Sequence, residues 1–89
     1  MVRVFVRHRV ADYEPWRRVY DDFEPERGPL GVTGHEVYRG VGDGNDVTVT
    51  HDFDNADDAR AFIDSDVLKE AMQRAGVQGP PDIWVTEPA

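Results

Sequence analysis

Glycine and proline divide this chain into six segments, and the spacing of apolar residues within the segments alternates between strand-like and helix-like. The predicted strands span Val2 to His8, about Thr33 to Arg39, about Asp46 to Phe53, and Ile83 to Thr86. Helical spacings of three and four lie between the first and second strands and between the third and fourth. The predicted order is therefore βαββαβ.

Both helical segments carry their own start and stop signals. Asp12 is suited to cap the first helix, and Pro25 is expected to end it. Asp54 or Asn55 is suited to cap the second, and Ser65 indicates a break or a new cap within it. We therefore expect the second helix to consist of two pieces.

Two right-handed crossovers in this order predict an α+β, ferredoxin-like fold in which residues 1–89 form one domain. Its four-stranded antiparallel sheet has both helices on one face, over the strand valines. The opposite face carries Phe5, Tyr38 and Trp84 among charged residues. Such a mixed surface is typical of a symmetric interface, so we expect a homodimer formed through it.

Cysteine is absent, which excludes disulfides, thiolate nucleophiles and cysteine-ligated metals. No apolar run approaches the ~18 residues of a membrane helix. The first ten residues carry three arginines, unlike a signal peptide. A net charge of -8 argues against a nucleic-acid partner. We expect a cytoplasmic protein with neither nucleic acid nor membrane as a partner.

The acidic residues comprise 12 Asp and 6 Glu, against nine arginines and the single Lys69. Short carboxylates with almost no lysine keep a surface hydrated in concentrated salt, where repulsion between them is screened. This composition favours a salt-loving host. The alternative is an ordinary acidic protein from a GC-rich genome.

Three histidines, His8, His35 and His51, share their strand parity with the buried valines. If Val37 pairs with Val49, His35 lies opposite His51. With the first and third strands taken as parallel, His8 lies at the same end of the sheet. The three imidazoles would then converge on one rim of the core, as a metal site, a ligand site with a general base, or water-satisfied strand ends.

Aromatic residues form a second candidate site between the helices and the sheet. Trp16 and Tyr20 of the first helix face the sheet, and Phe62, Ile63 and Met72 of the second helix would line any gap. Flat phenolic ligands suit such walls. The alternative is that these side chains simply fill the core.

The segments VRHRVADYEPWRRVYD, GHEVYRG and DFDNADDARAFIDSDVLKEAMQRAGVQGPP, in this order of elements, resemble the antibiotic biosynthesis monooxygenase-like proteins of the dimeric α/β-barrel superfamily. The resemblance covers nearly the whole chain. It implies a dimer whose two sheets close into a barrel, with a ligand pocket between sheet and helices in each subunit.

Characterised members of that superfamily include cofactor-free oxygenases of phenols and quinols, and haem-degrading enzymes. The oxygenase resemblance implies His51 or His35 as the base, Trp16 and Tyr20 holding the ring, and no cofactor. The haem-degrading pattern needs a His on the second helix, and residues 55–76 contain none.

We therefore expect a monooxygenase-like protein that binds a small phenol or quinol, with His8, Phe62 and Met72 as further ligand contacts. A non-catalytic ligand-binding or structural homodimer and a His-ligated metalloprotein are the alternatives.

Overall fold

The computed structural model describes residues 1–89, which form four strands and four helices. The elements are β1 (Val2–Val10), α1 (Tyr13–Asp22), α2 (Glu24–Arg27), β2 (Gly34–Gly40), β3 (Asp43–Phe53), α3 (Ala56–Asp64), α4 (Asp66–Arg74) and β4 (Val77–Thr86). Each predicted helical region consists of two consecutive helices. The predicted order of strands and helices is confirmed.

The strands form one sheet in the order β2-β3-β1-β4, and every neighbouring pair is antiparallel. This is the predicted ferredoxin-like α+β topology. In the β2–β3 hairpin Val37 pairs with Val49 and His35 with His51, as the valine pattern predicts. The expectation that the first and third strands run parallel is wrong, because β1 and β3 are antiparallel with Val4 opposite His51.

The helices cover one face of the sheet, where alternate residues of the central strands are buried. Val4 and Val47 are completely inaccessible, and Val6 and Val49 are nearly so. Above them pack Trp16 of α1, Phe62 of α3, and Leu68 and Ala71 of α4. Burial of these side chains supplies the hydrophobic free energy that holds the helices on the sheet.

Two of the predicted helix caps are present. Asn55 accepts a hydrogen bond from the backbone N–H of Asp58, and Ser65 accepts one from the N–H of Leu68. Ser65 separates α3 from α4, as expected. Asp12 occupies the N-cap position of α1 but makes no side-chain capping bond. Pro25 does not end the helical region, because it lies in the first turn of α2, where proline loses no helical hydrogen bond.

The last strand is longer than predicted, beginning at Val77 rather than Ile83. Its prolines, Pro80 and Pro81, fall where the pairing register of β1 with β4 shifts between Arg7 and Arg9. Residues at such a bulge in an edge strand are not paired in the sheet. Proline, which has no N–H to donate, is therefore tolerated there.

The other face of the sheet is uncovered by this chain. Phe5 and Trp84 stack there with ring centroids 5.2 Å apart, and Tyr38 is exposed. Arginines of β1 form ion pairs with aspartates of β3 on either side of this stack, and the pairs are Arg3–Asp52, Arg7–Asp46 and Arg9–Asp43. None of the helices combines the length and the apolar character required to cross a membrane.

Candidate functional site

A small cavity of about 50 Å³ lies between the sheet and helices α1, α2 and α4. Its walls are largely apolar, and the few polar side chains that reach it are those of His8, Tyr20, Arg27 and His51. The complete lining consists of Val6, His8, Trp16, Val19, Tyr20, Phe23, Arg27, Val49, His51, Leu68, Ala71, Met72 and Ala75.

Most of the residues predicted to contact a ligand line this cavity, namely His8, Trp16, Tyr20, His51 and Met72. Two others do not. Phe62 is completely buried behind the wall, with its ring centroid 4.8 Å from that of His51. His35 lies outside the cavity against Tyr20 and Glu24. Ile63 also lies outside the lining and packs on the main core.

The three histidines do not converge at one rim, which corrects the expectation drawn from parallel strands. His8 pairs with Val47, whereas His51 pairs with Val4. Along an antiparallel ladder this places the two histidines four residue positions apart on one face, about 13 Å at the usual rise per residue. Only His35 and His51 are neighbours, with ring centroids 6.0 Å apart. No group of three or more His, Asp or Glu side chains is arranged to hold a metal ion.

His8 forms one end of the cavity and has unused hydrogen-bonding capacity. Only 7% of it is exposed, its ring lies 5.7 Å from that of Trp16, and neither ring nitrogen has a hydrogen-bond partner. Burial lowers the pKa of His8 to about 4. The imidazole is therefore neutral at pH 7 and offers one donor and one acceptor to anything that enters the cavity.

The other end of the cavity is built around Arg27, a residue that the sequence interpretation did not single out. Its guanidinium is almost fully buried, with 3% exposed, and lies 4.0 Å from the centre of the Tyr20 ring. It donates from Nη2 to the backbone carbonyl of Tyr20, from Nη1 to Glu24, and from Nε to Nε2 of His51 at 3.4 Å. The sequence could have indicated that Arg27 faces the core. Position 27 continues the stripe of Tyr13, Trp16, Tyr20 and Phe23 at the same spacings of three and four.

Arg27 fixes the tautomer of His51. A guanidinium has only donors, so Nε2 of the neutral His51 must accept and Nδ1 must carry the hydrogen. That Nδ1 is buried and has no partner. Burial and then the positive charge of Arg27 lower the pKa of His51 to about 3. His51 therefore offers an N–H donor, and it is a poor proton acceptor at neutral pH.

His35 lies between Tyr20 and Glu24. The Tyr20 hydroxyl is hydrogen-bonded to Nδ1 of His35, and Nε2 of His35 lies 3.2 Å from Oε2 of Glu24. Burial raises the pKa of Tyr20, and the nearby Arg27 charge opposes that rise. Tyr20 also stacks on Trp16 with ring centroids 5.2 Å apart. The residues predicted to hold and deprotonate an aromatic ligand thus lie in one continuous cluster.

No family model matches the sequence, and no curated protein matches it. Several solved structures, however, match the fold of this chain. A protein from Bordetella bronchiseptica assigned to the antibiotic biosynthesis monooxygenases superposes with a TM-score of 0.84 at 14% identity, over 99% of this chain and 96% of that one. SnoaB, a cofactor-independent oxygenase from Streptomyces nogalater, superposes with a TM-score of 0.80 at 11% identity, over 99% of this chain and 92% of that one.

A conserved protein from Methanosarcina mazei Go1 gives a TM-score of 0.77 at 16% identity, over 96% of this chain and 89% of that one. Identities this low establish the architecture and leave the activity to be argued from the site. The chain therefore has the fold of the antibiotic biosynthesis monooxygenase-like proteins, as the resemblance in its sequence implies.

Proposed function

We propose that this protein binds a small phenol or quinol in the cavity and oxidises it as a monooxygenase without a cofactor. One observation carries the proposal: three ring nitrogens, both of His8 and Nδ1 of His51, are buried without partners around a largely apolar cavity. Leaving a buried polar group unpaired costs about 1–3 kcal/mol. A flat ligand with oxygen substituents would satisfy these groups while burying its ring against Trp16 and Tyr20.

The proposed roles follow from the chemistry at each end of the cavity. His51 donates its Nδ1–H to the ligand oxygen, and the Arg27 cation beside it favours the deprotonated form of the ligand. His8 contacts a polar group at the opposite end. The electron-rich anion then reacts with O₂. One oxygen atom enters the ligand, and the other leaves as water with the two hydrogens that the ligand loses.

The size of the cavity limits the ligand. A cavity of ~150 Å³ lined by apolar side chains binds benzene, three times the roughly 50 Å³ present here. A single-ring compound therefore needs a side chain such as Met72 to move, and a fused-ring compound needs a larger opening. Met72 is unbranched and only partly buried, which suits it to such a movement.

Oxygen uptake tests the proposal directly. Wild-type protein is mixed with a single-ring quinol, and O₂ consumption is followed beside His51→Ala, His8→Ala and the control Val41→Ala, whose side chain is in an exposed turn. We expect Val41→Ala to match wild type and both histidine variants to lose at least tenfold in kcat/KM. Binding without O₂ consumption would instead favour the non-catalytic ligand-binding alternative, to which the small cavity lends weight.

We also propose that the open sheet face pairs with a second copy of the chain. Phe5, Tyr38 and Trp84 offer apolar area there, and the arginine and aspartate pairs flanking them are complementary to their own copy under two-fold symmetry. Sedimentation velocity tests this. Trp84→Asp should sediment as a monomer, whereas the turn variant Val41→Asp should remain a dimer. A monomeric wild-type protein contradicts the proposal.

A further inference from the structure

Tyr20, His35 and Glu24 come from α1, β2 and α2 and form a line of polar contacts, in which Tyr20 is hydrogen-bonded to His35 and His35 lies within ion-pair distance of Glu24. Nε2 of His35 lies 3.2 Å from Oε2 of Glu24, and a carboxylate only accepts, so we assign the His35 hydrogen to Nε2. Nδ1 of His35 then has a free lone pair, and it accepts from the Tyr20 hydroxyl. Each member is therefore set to pass a proton away from Tyr20.

This line of contacts runs from the cavity to solvent. Tyr20 lines the cavity, the His35 side chain is 30% exposed, and the Glu24 side chain is 65% exposed. Arg27 holds the inner part in place, because it donates both to the backbone carbonyl of Tyr20 and to the carboxylate of Glu24. A proton accepted at Tyr20 thus has a route out of the cavity that needs no water inside it.

We infer that Tyr20 is the group that deprotonates the ligand, with His35 and Glu24 as its proton outlet. The ligand hydroxyl gives its proton to the Tyr20 oxygen while the Tyr20 proton moves to Nδ1 of His35. The products are a ligand phenoxide beside Arg27, a neutral Tyr20, and a His35 imidazolium beside the Glu24 carboxylate. Water then removes the proton from the partly exposed His35.

This inference rests on the proposed function and assigns the base within it. His51 is unsuited to that role, because its Nε2 lone pair is engaged by Arg27 and its Nδ1 carries a hydrogen. Tyr20 is the catalytic residue in this scheme. His35 and Glu24 act through it as positioning residues.

Several charged and titratable groups lie around His35. Tyr20 of α1, Glu24 of α2 and His51 of β3 contact it, and Arg27 joins the same cluster through its bond to Glu24. In this scheme the ring that receives the proton lies 3.2 Å from the Glu24 carboxylate. Removing the Glu24 charge should therefore make proton release from the ligand harder.

The test measures ionisation of a bound probe rather than turnover. The absorbance of 4-nitrophenol distinguishes the phenol from its phenolate, so a pH titration of the bound probe gives its apparent pKa. In Tyr20→Phe and His35→Gln that apparent pKa should rise by about one unit or more relative to wild type. Glu24→Gln should give a smaller rise. Tyr13→Phe is the matched control, because Tyr13 lies on the same helix but bonds Arg17.

The outcomes separate the two proposals. If the probe binds but Tyr20→Phe ionises it as wild type does, the proton outlet is overturned and the proposed function stands. If wild-type protein binds no probe even at millimolar concentration, both are overturned. Nitrogen NMR of the free protein gives a second test, because wild-type His35 should be the Nε2–H tautomer and should lose that preference in Glu24→Gln, whose amide can donate as well as accept. A mixed tautomer in wild type would also overturn the outlet.

Discussion

Nε of Arg27 donates to Nε2 of His51 across 3.4 Å, and both side chains are almost completely buried. A buried guanidinium is costly unless its donors are used, and here they reach His51, Glu24 and the carbonyl of Tyr20. The same contact orients the His51 ring and turns its other nitrogen into a donor. One end of the cavity is therefore polar because of Arg27, which lies on α2 and not on a strand.

Replacing Arg27 by lysine should destabilise the protein strongly. An ammonium is a point charge that cannot reproduce three differently directed donations or the contact with the Tyr20 ring. We expect Arg27→Lys to lower the free energy of unfolding by about 3 kcal/mol, measured by urea denaturation. Arg17→Lys is the control, because Arg17 is more than one-third exposed and its pair with Asp21 spans one helical turn. A loss below ~1 kcal/mol for Arg27→Lys would contradict this account.

His8 and His51 should make stability fall between pH 6.5 and about 3, the lower of their two pKa values in the folded protein. Their pKa values in the folded protein, about 4 and about 3, lie below the 6.5 of an ordinary histidine. The unfolded chain therefore takes up protons first as pH falls, so the stabilisation is complete above pH 6.5 and is lost below it. At pH 5 each histidine should lower the free energy of unfolding by about 2 kcal/mol relative to pH 7.

Urea denaturation of wild type and His8→Phe at pH 7 and pH 5 measures this effect. The variant should lose about half of the pH dependence. The ion-paired aspartates do not interfere, since the pKa values of Asp43, Asp46 and Asp52 are lowered from 3.8 by their arginine partners. An equal pH dependence in wild type and variant would show that His8 is not held neutral by burial.

Enlarging the cavity should strengthen ligand binding. Met72→Ala shortens a flexible side chain of the lining and gives a single ring space that wild type must create by moving Met72. Phenol should bind about tenfold more tightly, as expected for burying roughly two more methylene-sized groups. Titration calorimetry measures this, with Val67→Ala as the control, because Val67 is exposed on the same helix. Unchanged affinity would place the ligand elsewhere.

The fold followed from the sequence because several local signals agreed. The pairing of Val37 with Val49 fixed the hairpin register and hence the neighbours His35 and His51. The position of His8 was wrong because β1 was taken as parallel to β3. The crossover makes β1 parallel to β2, and the hairpin makes β2 antiparallel to β3, so β1 must be antiparallel to β3.

Other parts of the site and fold depend on tertiary contacts, which the spacing of residues within one element does not predict. Arg27 follows Pro25, where the helix was expected to end, so its burial was not predicted. The first residues of β4 contain two prolines, which argue against a strand unless a bulge absorbs them. The route from Tyr20 through His35 to Glu24 joins three elements, and helical or strand periodicity describes only one element at a time.

The acidic surface should respond to salt in a way that depends on position along a helix. Asp22 ends α1, where the helix dipole is negative, and it lines a groove with Glu26, Glu70 and Arg74, so that carboxylates outnumber the single cation there. Asp22→Asn should therefore raise the melting temperature by about 2 °C in low salt. The matched control is Asp57→Asn at the start of α3, where the dipole favours a carboxylate, so the melting temperature should fall.

In 1 M KCl the Debye length is about 3 Å, so both differences in melting temperature should nearly vanish. Differences that persist in KCl would show that the aspartates act through direct contacts rather than through the screened repulsion expected of a salt-adapted surface.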